Sequence, residues 1–211
     1  MGTQVFDPTK PDREKFGSDP FGYSSLAWMK WAMVLAQRGF AIDPTKPPTP
    51  KDLKDPILWL CQANALQEAA VLLVKNEPSF DKMPPSVRGM CDSQYCAVAL
   101  MLVGYSLEIC LKAMIIMRRG IEAYAASEKD YRHHELAELA DFIPGLDERD
   151  QVTLKVLTHF VYWAGRYPDP GTRHHSKVEE IFSLSEKHEI SAKHLFELTG
   201  RVMGHVKRLV P

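Results

Sequence analysis

All eight histidines of this 211-residue chain lie between His133 and His205. Histidine can serve as base, acid, phosphate partner or metal ligand. Two doublets, His133-His134 and His174-His175, sit beside Arg132 and Arg173 in or next to loops that lead into helices. Arginine and histidine at a helix start form a ready anion site. Glu108 and Lys112 stand four apart in a long apolar run, with the acid on the N-terminal side, the favourable order for a helical ion pair. Such a pair either turns one polar spot of a central helix toward a neighbour or presents Lys112 to a groove as a point charge for phosphate.

Other chemistries lack their residues. His134-Glu135-Leu136-Ala137-Glu138 has the first half of the zinc-protease H-E-x-x-H pattern but ends in glutamate. A metal held by His134, Glu138 and the other doublet is geometrically allowed, yet no spacing demands it. There is no phosphate-binding glycine loop, dinucleotide fingerprint or G-x-S-x-G elbow. Cys61, Cys91, Cys96 and Cys110 contain no C-x-x-C pair, so free and mostly buried thiols are expected. No metal and no cofactor is expected.

The elements that must hold these residues are helical. Residues 1–22 are rich in proline and glycine and read as an extended or disordered arm. Ser24 or Ser25 is placed to cap a helix running to about Gln37, stopped by Gly39. Four prolines between Pro44 and Pro50 make a stiff connector, so residues 23–55 form an extra helix and its tether. Asp7-Pro8-Thr9-Lys10-Pro11 recurs as Asp43-Pro44-Thr45-Lys46-Pro47, and Asp19-Pro20 as Asp55-Pro56 at the same offset. This is either a short coincidence of proline-rich sequence or two equivalent segments leading into helices.

From Asp55-Pro56 onward the pattern predicts a bundle over 56–211. Its helices are expected over about 56–76, 93–120, 134–142, 148–165 (capped by Asp147), 176–184 and 189–209. No strand-length run alternates apolar and polar residues, so the chain is expected to be all-α, an up-and-down helical bundle.

Charge and hydropathy narrow the setting. Lys plus Arg is 26 and Asp plus Glu is 27, and the signs balance within each half of the chain. That excludes the broad basic face of a duplex-DNA binder but leaves room for one local phosphate site. The first 25 residues hold no apolar signal segment, so a cytoplasmic chain is expected. Only Ala97–Met117 could be mistaken for a membrane span. Glu108 and Lys112 lie inside it, each costing roughly 2.5–3.5 kcal/mol at a bilayer centre. A helix buried in protein is the better reading, with no membrane partner.

Three segments then line up in order: Gly104-Tyr105-Ser106-Leu107-Glu108-x-x-Leu111-Lys112-Ala113, His134-x-Leu136-x-x-Leu139, and Trp163-Ala164-Gly165-Arg166-Tyr167-Pro168-Asp169. Together they resemble the HEPN domain (higher eukaryotes and prokaryotes nucleotide-binding) in its R-Y-P form, over about residues 56–210. The resemblance implies a four- to five-helix bundle, often a homodimer around a cleft. It implies nucleotide or RNA-phosphate binding, a setting in defence or toxin–antitoxin systems, and a partner protein encoded nearby.

Nuclease members carry R-x(4–6)-H. Here seven residues separate Arg166 from His174, and three separate Arg201 from His205. The leading expectation is therefore phosphate binding without catalysis by Lys112, His134, Arg166, Arg173, His174 and His175. The alternatives are a metal-independent endoribonuclease using Arg166 with His174 or His175, and a non-catalytic dimeric interaction scaffold.

Overall fold

The computed structural model describes residues 7–172 and 177–209. Every regular element among them is helical. The chain divides into two compact units, Met1–Leu58 and Trp59–Pro211.

The first unit is more ordered than an extended arm. Residues 13–25 form two short helices, α1 (Arg13–Ser18) and α2 (Pro20–Ser25). Asp12 and Asp19 cause them. Each carboxylate accepts an otherwise orphan N–H, from Lys15 and Gly22, and Pro20 begins the second helix. Ser24 and Ser25 do not cap the next helix; their hydroxyls donate back to the Pro20 and Gly22 carbonyls. That helix, α3 (Ala27–Gln37), ends as expected at Gly39, whose φ of +87° suits glycine.

The repeated pentapeptide folds the same way twice. Asp7 Oδ1 accepts the Thr9 N–H and hydroxyl at 2.9 and 2.6 Å. Asp43 Oδ1 accepts those of Thr45 at 3.0 and 2.6 Å. The threonine hydroxyl bonds, above all, hold both carboxyls below their ordinary range. Asp55 then accepts the Ile57 N–H with one oxygen and the Trp31 indole N–H with the other.

The second unit is organised around α5 (Arg88–Arg119). It starts earlier than Ser93 because a 3-10 turn, Pro85–Val87, feeds it, and Arg88 closes the preceding loop onto the Met83 and Asp81 carbonyls. From Val103 to Ile116 nearly every residue is buried, as required of a helix apolar around its whole circumference. Leu107, Leu111 and Met114 join Leu136, Leu154 and Leu198 in one core. Burying each such side chain contributes about 1.5–3 kcal/mol. Those partners come from α7 (Leu136–Leu139), α8 (Glu148–His159) and α10 (Ala192–Gly204), while α6 (Ile121–Ala126) adds buried Tyr124.

Several boundaries differ from expectation for local reasons. α7 is shorter than 134–142 because side chains bind the backbone at 133–136 and hold it out of the helix. α9 (Lys177–Lys187) runs past residue 184. α10 starts only after Glu189, at φ +47°, and the Ser191 cap. α8 starts at Asp147 as expected, with a capping box to Asp150, and its last turn, Phe160–Ala164, widens into a π-helix.

Among the described residues two helices, rather than the one expected, are long and apolar enough to cross a membrane. They are α4 (Pro56–Lys75), of mean hydropathy 1.5, and Pro85–Arg119, of mean hydropathy 1.8. The apolar window of the second is 67% buried inside the protein.

The thiols also depart from expectation. Only Cys110 is buried; Cys61 and Cys96 are exposed and Cys91 is half-buried, because they fall on outward faces of α4 and the first half of α5. Burial pushes the Cys110 thiol up to about 12. At pH 8, N-ethylmaleimide should therefore modify Cys61 and Cys96 quickly and leave Cys110 unmodified until denaturant is added, as read by mass spectrometry. Asp147→Ala should lower stability by about 1 kcal/mol through loss of the α8 cap, shifting the urea midpoint without changing the slope.

Candidate functional site

Three polar side chains of α5 share one face. Tyr105, Glu108 and Lys112 are spaced three and four apart, so a helix stacks them in a row. Lys112 Nζ donates to Glu108 Oε1 at 2.7 Å and to the His133 carbonyl at 3.0 Å. The second Glu108 oxygen, Oε2, lies 2.7 Å from His134 Nδ1. Glu108 and Lys112 are only 5% and 8% exposed, so both charges have left water and depend on these partners.

His134 is held from three sides. Glu108, as a carboxylate, only accepts, which places the proton on Nδ1 and turns Nε2 outward. No partner of Nε2 is present among the described residues. Tyr162 meets the imidazole edge-on at 5.0 Å between ring centroids, and Tyr105 does so at 6.1 Å. The backbone is pinned by Thr158 of α8. Its hydroxyl accepts the Leu136 N–H at 3.1 Å and donates toward the Leu154 and His134 carbonyls at 3.0 and 3.3 Å. Burial raises the Tyr162 phenol above its ordinary value, and the Glu135 carboxylate adds to this.

Arg166 follows the π turn. Its guanidinium carbon sits 4.9 Å over the Tyr105 ring, and no carboxylate pairs with it among the described residues. Its position depends on two glycines. A Cβ on Gly104 would come 2.4 Å from Val161 Cγ2; one on Gly165 would come 2.3 Å from Met101 Cβ and 2.8 Å from the Ala97 carbonyl. Both are far inside contact distance, so α5 and the π turn pack with no room for a side chain at either position. Gly165 has φ −91°, which any residue adopts, so the requirement there is space.

The expected site residues thus divide into two groups. Lys112, His134 and Arg166 belong to one constellation linked through Glu108 and Tyr105. Within it Lys112 is buried and engaged, so it does not face outward as a phosphate cation. Arg173, His174 and His175 lie outside the described residues. His133 turns its ring into a separate cleft of about 370 Å³ with Arg118, Arg119, Glu138 and Asp141. Glu138 therefore does not join His134, and no group of three metal-ligating side chains occurs among the described residues.

Tyr105, Thr158 and Tyr162 were missed by sequence reasoning. The readable signal was spacing: Tyr105 precedes Glu108 by three, and Thr158 precedes Tyr162 by four. No family model matches this chain, and neither do any of the curated proteins or solved structures compared with it.

Glu108→Gln should destabilise the protein by about 3–5 kcal/mol, because it leaves the Lys112 ammonium buried against a neutral amide. The Glu108→Gln/Lys112→Met double variant should recover much of that loss in urea melts. Gly165→Ala should cost about 1–3 kcal/mol by overpacking and should weaken the Arg166–Tyr105 contact, visible as altered tyrosine ring resonances.

Proposed function

We propose that this chain is a HEPN-like bundle that binds a nucleotide or RNA phosphate where α5 meets the π turn. Arg166 is the cation and His134 Nε2 the hydrogen-bonding group. The observation that carries the reading is an arginine over Tyr105 that pairs with no carboxylate among the described residues, with the same ring meeting a histidine whose Nδ1 is occupied by a buried carboxylate. A planar guanidinium suits phosphate oxygens, and Tyr105 adds an aromatic face for a base or ribose. Lys112 acts at one remove, occupying one Glu108 oxygen while the other holds the imidazole in one orientation. Binding without turnover is the primary function. The resemblance extends the proposal to a homodimer in a defence or toxin–antitoxin setting.

The carboxylate–imidazole pair favours a second reading, an endoribonuclease in which His134 replaces His174 and His175. Nε2 would take the proton of a ribose 2′-hydroxyl. The 2′-oxygen would attack phosphorus and the P–O5′ bond would break, with Arg166 stabilising the charge and water protonating the leaving oxygen.

Calorimetry with ATP, GTP and a short RNA at low salt separates these readings. Wild type should bind at least one of them, and Arg166→Ala should weaken binding tenfold or more, about 1.4 kcal/mol. No binding by wild type overturns the proposal. RNA cleavage that is lost in His134→Ala establishes the second reading in its place.

A further inference from the structure

A different cavity, about 360 Å³, lies between residues 143–146 and the end of α10. Its titratable lining residues among those described are all basic in type: Arg201, His205 and Arg208. Helical geometry gathers them. Arg201 and His205 are four apart at the end of α10, and His205 and Arg208 are three apart in the 3-10 turn that follows, where such residues eclipse. One Arg201 nitrogen is committed to Asp150 Oδ1 at 2.5 Å, which fixes the side chain to α8; the arginine is still half-exposed while Asp150 is wholly buried. His205 and Arg208 pair with no carboxylate among the described residues.

The glycines here serve a different purpose from those of α5. A Cβ on Gly200 or Gly204 would meet nothing within 4 Å. Glycine is disfavoured inside a helix, and no close packing requires it at either position. What the two residues do is keep one wall of the cavity low. On the other wall Gly145, at φ +77°, turns the chain toward Asp147.

We propose that this cavity binds a compact phosphate-bearing small molecule. Two guanidiniums and an imidazole, with no acid in the lining among the described residues, suit the oxygens of an anion, and the volume is at the small end of ligand pockets. The site is independent of the one at Arg166. Asp150, which anchors Arg201, is in the first turn of α8, and Arg166 follows its far end. At 1.5 Å per residue the two ends are roughly 24 Å apart.

The test is calorimetric titration of the full chain with pyrophosphate and inorganic phosphate at low salt, in wild type and in Arg166→Ala, which removes the other phosphate contact. Pyrophosphate should bind both. In the Arg166→Ala background, adding His205→Ala/Arg208→Ala should weaken binding at least tenfold. So should adding Gly200→Leu, which fills the cavity while favouring the helix, with circular dichroism unchanged. Absence of pyrophosphate and phosphate binding in Arg166→Ala overturns the proposal. So does an affinity that neither added change moves, or a short RNA that binds through His205 and Arg208 when pyrophosphate does not.

Discussion

The second unit depends on one buried carboxylate. Glu108 lies inside a helix otherwise built from Leu, Ala, Met and Ile, where an isolated charge would be heavily penalised. Lys112 occupies one oxygen and His134 the other, so the ionised acid is tolerable only when the 133–134 segment is in place. Lys112 repeats the coupling by reaching the His133 carbonyl. Burial in the core thereby becomes positional information: the cheapest way to satisfy Glu108 is to bring a distant loop against α5 and point its histidine in one direction.

The close approach of α5 and the π turn completes this arrangement. Gly104 and Gly165 remove the side chains that would separate the two backbones. The wider last turn of α8 then carries Tyr162 to the imidazole and Arg166 to Tyr105. A π turn is an unusual helical geometry and is often found at functional sites. Here it adjusts where the residues after it emerge. α8 also connects the two basic regions of the unit, through Asp150 at its start and Arg166 beyond its end.

Much of this was legible in the chain. The all-α class, the Asp55 and Asp147 caps, the Gly39 stop, and the Glu108–Lys112 pair follow from local rules, and the structure contains each. The repeated Asp-Pro-Thr-Lys-Pro segments also behave locally, because each aspartate bonds its own neighbours. The helices over 13–25 were not read, because proline and glycine density outweighed two aspartate caps. The thiol environments were not read either, since burial of Cys61 and Cys96 depends on what covers a helix face.

Spacing on α5 by itself determined that Glu108 and Lys112 share a face and pair. It left open whether Lys112 serves structure or ligand. Only the tertiary structure supplied the partners of that pair, by delivering the His133 carbonyl to the ammonium and His134 to the second carboxylate oxygen. The same holds for Arg201 and His205, whose spacing looked like a failed motif and whose shared cavity exists only because residues 143–146 close over them. The physical reason is range. Caps, turns and i,i+4 pairs are written within a few residues, whereas the partner of a buried charge comes from wherever packing brings another segment.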